Sequence, residues 1–345
     1  MSKVVYLLGA GASYGTRSKD DDKTRILSGL PIVKEIESEL ENLTRILSSL
    51  SLGDKELEES KQNLIKDFQY LKVACSDNAT IDTYAKKLWL QGKKNDFSHV
   101  ELLLTIFFIF EQIVHKPDKR YDTFFANVLE RKMECYEELT LPDEIRILSW
   151  NYDNQLELVY REYLKWDYSS IREKLGIYDV KGVEKDGVPK REYSIIKLNG
   201  TANFVAEEDW LQYSEANTID ETLLVNILNK YTECLQIKPF PCDGKLRLNF
   251  AWEERWSRDM LNKTIPNMVK DATALVVIGY TFPYFNRKVD KMIFAQMPNL
   301  KNIYIQDPEA DRTEQYIKPV LPEKLADVKI HPLIDTDQFF LPPEL

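Results

Sequence analysis

Residues 146–157 read RILSWNYDNQLE, an apolar run that stops at Asn151-Tyr152-Asp153-Asn154 before a helix-like pattern begins. Two amides and a carboxylate at such a junction can cap a helix, because Asn and Asp side chains accept hydrogen bonds from free backbone N–H groups. They can equally serve a ligand at the carboxyl end of a strand. An amide such as Asn151 orients a hydroxyl or a water without titrating, and a carboxylate such as Asp153 can take up a proton. A second candidate is Gly9-Ala10-Gly11-Ala12-Ser13, directly after the apolar run VVYLL. Glycines there let a backbone approach a diphosphate, and a helix starting at once would offer free N–H groups to the anion. The full GxGxxG spacing fails, since position 14 is Tyr and the next glycine is Gly15, so a plain strand-to-helix turn stays open. Two further turns are KLNGTANF at 197–204, with Asn199 and Gly200, and GYTFP at 279–283, with Gly279 and Thr281. Gln306-Asp307-Pro308 closes a fifth apolar run.

Five short β-like runs carry these turns, at 4–8, 145–150, 194–198, 274–278 and 302–305. Each is rich in Val, Ile, Leu or Tyr with little polar alternation, as in strands buried on both faces of a parallel sheet. Ligands of open α/β sheets bind outside the carboxyl ends of the strands, so the turns are expected to converge. The expected fold is α/β, a Rossmann-like parallel sheet with a large helical insertion between its first two strands. The insertion is expected over 32–140, where IVKEIESELENLTRIL, KELEESKQNLIKDFQYLKVA and HVELLLTIFFIFEQIV space apolar residues helically and DNATIDTYAKKL reads as a capped helix start. The core is expected in 1–31 with 141–345, interrupted at about 164–193 and 201–270. The first interruption carries Gly176, Gly182, Gly187 and Pro189 and reads as a loop or hairpin; the second contains three of the six tryptophans.

The 345 residues, 43% hydrophobic and 30% charged, suit an ordinary globular chain, and a formal charge of −10 weighs against a nucleic-acid backbone as direct partner. LLLTIFFIF, at 102–110, is far short of the ~20 residues that span a bilayer and reads as a buried helix, so no membrane partner is expected. The start MSKVVYLLGAGAS leads into glycines rather than a cleavage site, which disfavours a secretory signal. Cys75, Cys135, Cys234 and Cys242 form no CxxC pair, so isolated buried thiols in a reducing cytoplasm are expected, and no metal.

In order along the chain, GAGAS, SGLPIVKEI at 28–36, SWNYDNQLE, KLNGTANF and VVIGYTFP at 276–283 together resemble the sirtuin-like superfamily, specifically its bacterial zinc-free branch of NAD glycohydrolases used in defence against phage. ATIDTYAKKL at 79–88 and FSHVELLL at 97–104 are similar to that branch's helical insertion. The resemblance covers about residues 4 to 308. It implies that Gly9, Ala10, Gly11, Ala12 and Ser13 cradle the diphosphate of NAD. It also implies that Asn151 is the catalytic asparagine near the nicotinamide ribose with Asp153 beside it, that Gly200, Gly279 and Thr281 face the cofactor, and that Gln306 and Asp307 lie near the adenosine end.

One departure matters. The family's KLHG motif supplies a histidine base, and this chain has Asn199 there; His99, His115 and His331 all lie elsewhere. An amide holds a hydroxyl but accepts no proton near neutral pH, and base assistance is typically worth ~10²–10⁴-fold. Asp153 or a histidine such as His99 could substitute, the chain could bind NAD without cleaving it, or the change could be introduced. The four-cysteine zinc ribbon of sirtuin deacylases is absent from the sequence, which points to free NAD rather than acyl-lysine. The resemblance therefore implies a cytoplasmic NAD-consuming effector of abortive antiviral defence, releasing nicotinamide and ADP-ribose. Its partner would be a homo-oligomer or a companion sensor, such as an ATPase or a nucleotide-pyrophosphatase-like protein. The rival is an inactive NAD- or ADP-ribose-binding subunit. An NAD-linked dehydrogenase ranks below both, since no proton-relay His or Tyr follows the expected pattern.

Overall fold

A computed structural model describes residues 3–20, 23–131, 139–179, 193–205, 210, 217–237, 242, 244–253 and 260–345. It divides the chain into two compact units: Met1–Gly15, Pro117–Thr201 and Asn249–Leu345 make the first, Thr16–Lys116 and Ala202–Leu248 the second.

Among the described residues, the main sheet of the first unit has seven strands: β1 (Lys3–Leu8), β2 (Ile145–Ser149), β3 (Ile177–Asp179), β4 (Ile195–Lys197), β5 (Ala272–Ile278), β6 (Asn302–Gln306) and β7 (Lys329–Leu333). Their order is β7-β6-β5-β1-β2-β4-β3, and every pairing is parallel. This is the expected Rossmann-like α/β class. The two edge strands, β3 and β7, lie outside the five expected runs. Successive residues face opposite sides: Val5, Leu7, Leu148, Ile196, Leu275, Val277, Ile303 and Ile305 join one core. Val4, Tyr6, Leu8, Ile147, Ile195, Val276, Ile278 and Tyr304 join the other. Helices cover both faces: Lys119–Val128, Gln155–Leu164 and Tyr168–Leu175 on the second, Arg287–Ala295 and Ala310–Ile317 on the first. Covering both sides is what permits strands with almost no polar alternation.

The second unit holds the helices Ile36–Ser49, Lys55–Asp77, Ile81–Leu90, Lys94–Val114 and Glu221–Gln236. Asp54, Thr80 and Asp220 cap three of them by accepting N–H bonds from Leu57, Thr83 and Leu223. The Lys94–Val114 helix runs well beyond the apolar 102–110 stretch and is buried almost all round, as the central helix of a bundle must be. Its length and composition would allow a membrane crossing, but 83% of its most apolar window is buried inside the fold.

The boundaries differ from those read in the sequence. The helical unit runs from Thr16 to Lys116 rather than over 32–140, and it takes back Ala202–Leu248. The Lys119–Val128 helix instead packs on the sheet through Tyr121, Phe124 and Phe125. The 164–193 stretch, expected as a loop or hairpin, contributes the Tyr168–Leu175 helix and strand β3; Gly182, Gly187 and Pro189 lie outside the described residues. Nor are the thiols all isolated: the Cys242 N–H donates to the Cys234 carbonyl at 3.1 Å, and a bond from the Cys242 thiol lowers the pKa of Cys234. Cys135 lies outside the described residues.

The turns after β1 and β5 touch backbone to backbone. A Cβ on Gly9 would lie 2.6 Å from the Gly279 carbonyl oxygen and from Tyr280 Cα; one on Gly11 would lie 2.7 Å from Gly279 Cα. Gly9 has φ −121°, extended backbone that any residue adopts, so only the contact excludes a side chain. Gly9→Ala is therefore expected to destabilise the protein by about 2 kcal/mol or more. Gly53→Ala, where an added Cβ meets nothing within 4 Å, should stay within about 0.5 kcal/mol. Denaturant unfolding of the two variants checks this; equal losses would overturn it.

Candidate functional site

The strands end in register: Leu8 lies beside Ser149 and Ile278, Ser149 beside Lys197, and Ile278 beside Gln306. All the turns picked out in the sequence therefore leave one edge of the sheet. The first is not a helix start. Ala10–Ser13 makes a single 3₁₀ turn, and the N–H groups of Gly9, Gly11 and Ala12 donate to Ile278 O (3.0 Å), Gly279 O (3.0 Å) and Gly9 O (2.8 Å). Three amides expected to cradle a diphosphate are thus spent on the protein's own carbonyls. Gly279 needs its glycine for that same close contact, with φ +59°, and its own N–H donates to Gln306 O at 3.0 Å.

Asn151 reaches this turn directly. Its Nδ2 donates to Gly9 O at 2.9 Å and to Ser13 Oγ at 3.1 Å. Ser13 Oγ donates in turn to Asp153 Oδ2 at 2.6 Å and lies 3.0 Å from the Tyr121 hydroxyl. Asp153 also caps: its Oδ1 accepts the Gln155 N–H at 3.1 Å, where the Gln155–Leu164 helix begins. Beneath it, Lys197 Nζ donates to the Asp153 carbonyl at 2.6 Å and pairs with Glu157 at 3.2 Å; Arg172 holds the other Glu157 oxygen at 3.2 Å. Asn151, Asp153, Ser13, Lys197 and Glu157 are all buried. Burial pushes the Asp153 carboxyl above its ordinary value, against the opposing pull of Lys197, Ser13 and the Gln155 N–H.

Asn199, in the KLNG turn, donates from Nδ2 to the Trp150 carbonyl at 2.9 Å, and its own carbonyl accepts the Asn249 N–H at 2.8 Å. Its Oδ1 is buried with no hydrogen-bond partner among the described residues, as is Asn249 Oδ1. Gly200, which follows, is buried, while Ala10 and Thr281 are exposed. Gln306 does not offer its amide to a ligand. Nε2 donates to Asp335 O (2.8 Å) and Gln338 O (2.6 Å), and Oε1 accepts the Phe340 N–H, so this side chain anchors the C-terminal segment. Asp307 likewise serves a turn, accepting the Glu309 N–H at 2.8 Å.

Several residues of this centre escaped sequence reading. Asp118 accepts the Gly15 N–H at 2.8 Å and pairs with Arg120, whose Nη2 donates to Gly11 O and Ala12 O at 2.8 and 3.1 Å. Neither these two nor Tyr121 stood in a motif. Lys197 did carry a signal, as a lysine ending a wholly apolar strand. The histidines are engaged elsewhere: His99 with Asp67 (2.7 Å), His115 with Glu111 (3.4 Å), and His331 with Asn302 (3.2 Å) near the amino ends of β6 and β7.

Chemically, the centre fixes one amide, one hydroxyl and one carboxyl in line, supported by buried cations. A second tie holds the neighbouring turn, where Asp290 accepts from Trp150 Nε1 (3.1 Å) and the Tyr280 hydroxyl (2.8 Å). Burial raises its carboxyl from 3.8 to about 7, despite those two bonds and Arg287. Because the folded value lies above the unfolded one, the stability Asp290 contributes is full below pH 3.8 and is lost as pH rises through about 7. Each tenfold change in proton affinity is worth ~1.4 kcal/mol, so the loss is on the order of 4 kcal/mol at most. Asp290→Asn is expected to remove this dependence. The wild-type minus variant difference in unfolding free energy should fall between pH 4 and 7, and a flat difference would refute it.

Comparison of the chain with protein-family models, with curated proteins and with solved structures gave no match.

Proposed function

We propose that the carboxyl edge of the sheet binds NAD and that the chain hydrolyses it to nicotinamide and ADP-ribose, as a sirtuin-like defence effector. The observation that carries this reading is the bond from Asn151 to Gly9 O and Ser13 Oγ. It joins the NYD turn to the glycine turn, two motifs on which the family resemblance rests. Water adds to the ribose C1′, the C1′–N bond breaks, and nicotinamide leaves with the bonding pair. Asn151 orients the ribose or the water. The water's proton needs an acceptor that Asn199 is not; Asp153, raised by burial and bonded to Ser13, is the nearest titratable group to Asn151 through that hydroxyl. The activity would be gated in the cytoplasm by self-association or by a sensor partner.

A second reading is favoured by one observation. The residue in the histidine's place is an amide whose Nδ2 is already committed to Trp150 O. On that reading the chain binds NAD or ADP-ribose without turnover, as a subunit of a defence complex.

Nicotinamide release and NAD binding, measured for wild type and Asn199→His with and without the products of neighbouring genes, test both. A gain of ~10²–10⁴-fold in the variant supports the hydrolase with its base missing. Binding without release in either protein supports the second reading. Absence of both binding and release from both proteins under every condition overturns the two together.

A further inference from the structure

We propose that Glu39, Glu111 and His115, in the helical unit, form a binding site for a divalent transition-metal ion of the zinc class. Glu111 and His115 stand one helical turn apart at the end of the Lys94–Val114 helix, so both side chains project to one side. Glu39 comes from the first turn of the Ile36–Ser49 helix. One ligand atom from each lies within 4.8 Å of the other two. His115 Nε2 is 3.4 Å from Glu111 Oε2 and 3.9 Å from Glu39 Oε2. Bonds of ~2.0–2.2 Å at tetrahedral angles hold ligand atoms ~3.4 Å apart, so contraction by up to ~1.4 Å would close the set around one ion.

The independent sign of a missing ligand is Glu111 itself. It is fully buried, yet among the described residues neither of its oxygens accepts a hydrogen bond, and its one ion-pair contact is His115 at 3.4 Å. Its place at a helix carboxyl end worsens the matter, because the terminal carbonyls repel an anion and favour a cation. Glu39 shows the support expected of a ligating carboxylate, since Asn42 Nδ2 donates to both its oxygens at 3.1 Å. One imidazole nitrogen with two carboxylates suits a borderline ion better than Mg²⁺, which prefers all-oxygen shells.

The competing arrangement is an imidazolium with no metal. Burial opposes a charge on His115, but Glu111 and Glu39 outweigh it and bring its pKa up to about 9. That imidazolium faces two carboxylates, on which Arg17 also acts although it is itself paired with Glu35 at 2.9 Å. A dication with a neutral imidazole balances both carboxylates and occupies the vacant lone pairs.

The test is titration of chelator-stripped full chain with Zn²⁺, and separately with Mg²⁺, alongside Glu111→Gln and His115→Gln. One Zn²⁺ per chain is expected, with at least ~10-fold weaker binding in each variant, a rise in melting temperature for wild type only, and no response to Mg²⁺. Should a variant fail to fold, X-ray absorption of the zinc-loaded wild type decides. A shell of nitrogen and oxygen at ~2.0–2.1 Å supports the site, whereas sulfur at ~2.3 Å assigns the ion to Cys234 and Cys242 and overturns it. So would binding left intact by both substitutions, or no stoichiometric binding at all.

Discussion

The carboxyl edge of the sheet depends on a contact that leaves no room for a single carbon. Gly9, Gly11 and Gly279 meet backbone to backbone, and two of the hydrogen bonds that extend the β1–β5 ladder past the strand ends, Gly9 to Ile278 and Gly11 to Gly279, run through this contact. Because the two turns close on each other, the Gly9 carbonyl is presented toward β2, where Asn151 takes it up. A larger residue at any of the three positions would part the turns and leave Asn151 without its acceptor. The glycines that sequence reasoning assigned to a ligand are thus required first by the protein's own chain.

From this contact the polar interior follows as a problem in charge placement. Burying a carboxylate is costly unless donors or cations meet it. Asp153 has Ser13 and the Gln155 N–H, Glu157 has Lys197 and Arg172, and Asp118 has Arg120 and the Gly15 N–H. The same partners stiffen the turns on which any chemistry would depend: Lys197 ends a strand, and the Gln155 N–H and Arg120 lie at helix starts. Asn199 breaks the pattern. Among the described residues its side chain keeps one bond, to Trp150 O, and leaves its amide oxygen buried and unsatisfied.

What the sequence made legible was set by the range of the underlying interactions. The five inner strands stood out because burial on both faces demands unbroken apolar runs. β7, KIHPL, did not: it is half exposed and carries Pro332, which an edge strand tolerates and a central one does not. The NYDN turn announced both its possible roles, and Asp153 fills the capping role while also bonding Ser13. The pairing of Asn151 with Gly9 could be anticipated only from the rule that parallel strands share a carboxyl edge. Asp118, Arg120 and Tyr121 could not. Each meets the glycine turn across more than a hundred residues, and nothing local distinguishes them from an ordinary helix start. The return of Ala202–Leu248 to the helical unit was hidden likewise, since its Glu221–Gln236 helix is amphipathic in the usual way and carries no mark of its destination.

The two units handle buried charge differently, and the difference is informative. In the sheet unit every buried carboxylate discussed above has a donor within 3.2 Å. In the helical unit the half-buried Asp67 is likewise held, by His99 and the Tyr231 hydroxyl at 2.7 and 2.6 Å. Glu39 is held by Asn42. Only Glu111, among these, accepts no hydrogen bond from the described residues, and it sits where the helix dipole is least hospitable to it. A glutamine would fill the same volume without the charge, as Gln112 does one position later by donating to the Phe108 carbonyl. An acid at this position therefore gains nothing from packing alone. The divalent cation we propose, shared with Glu39 and His115, would balance that charge.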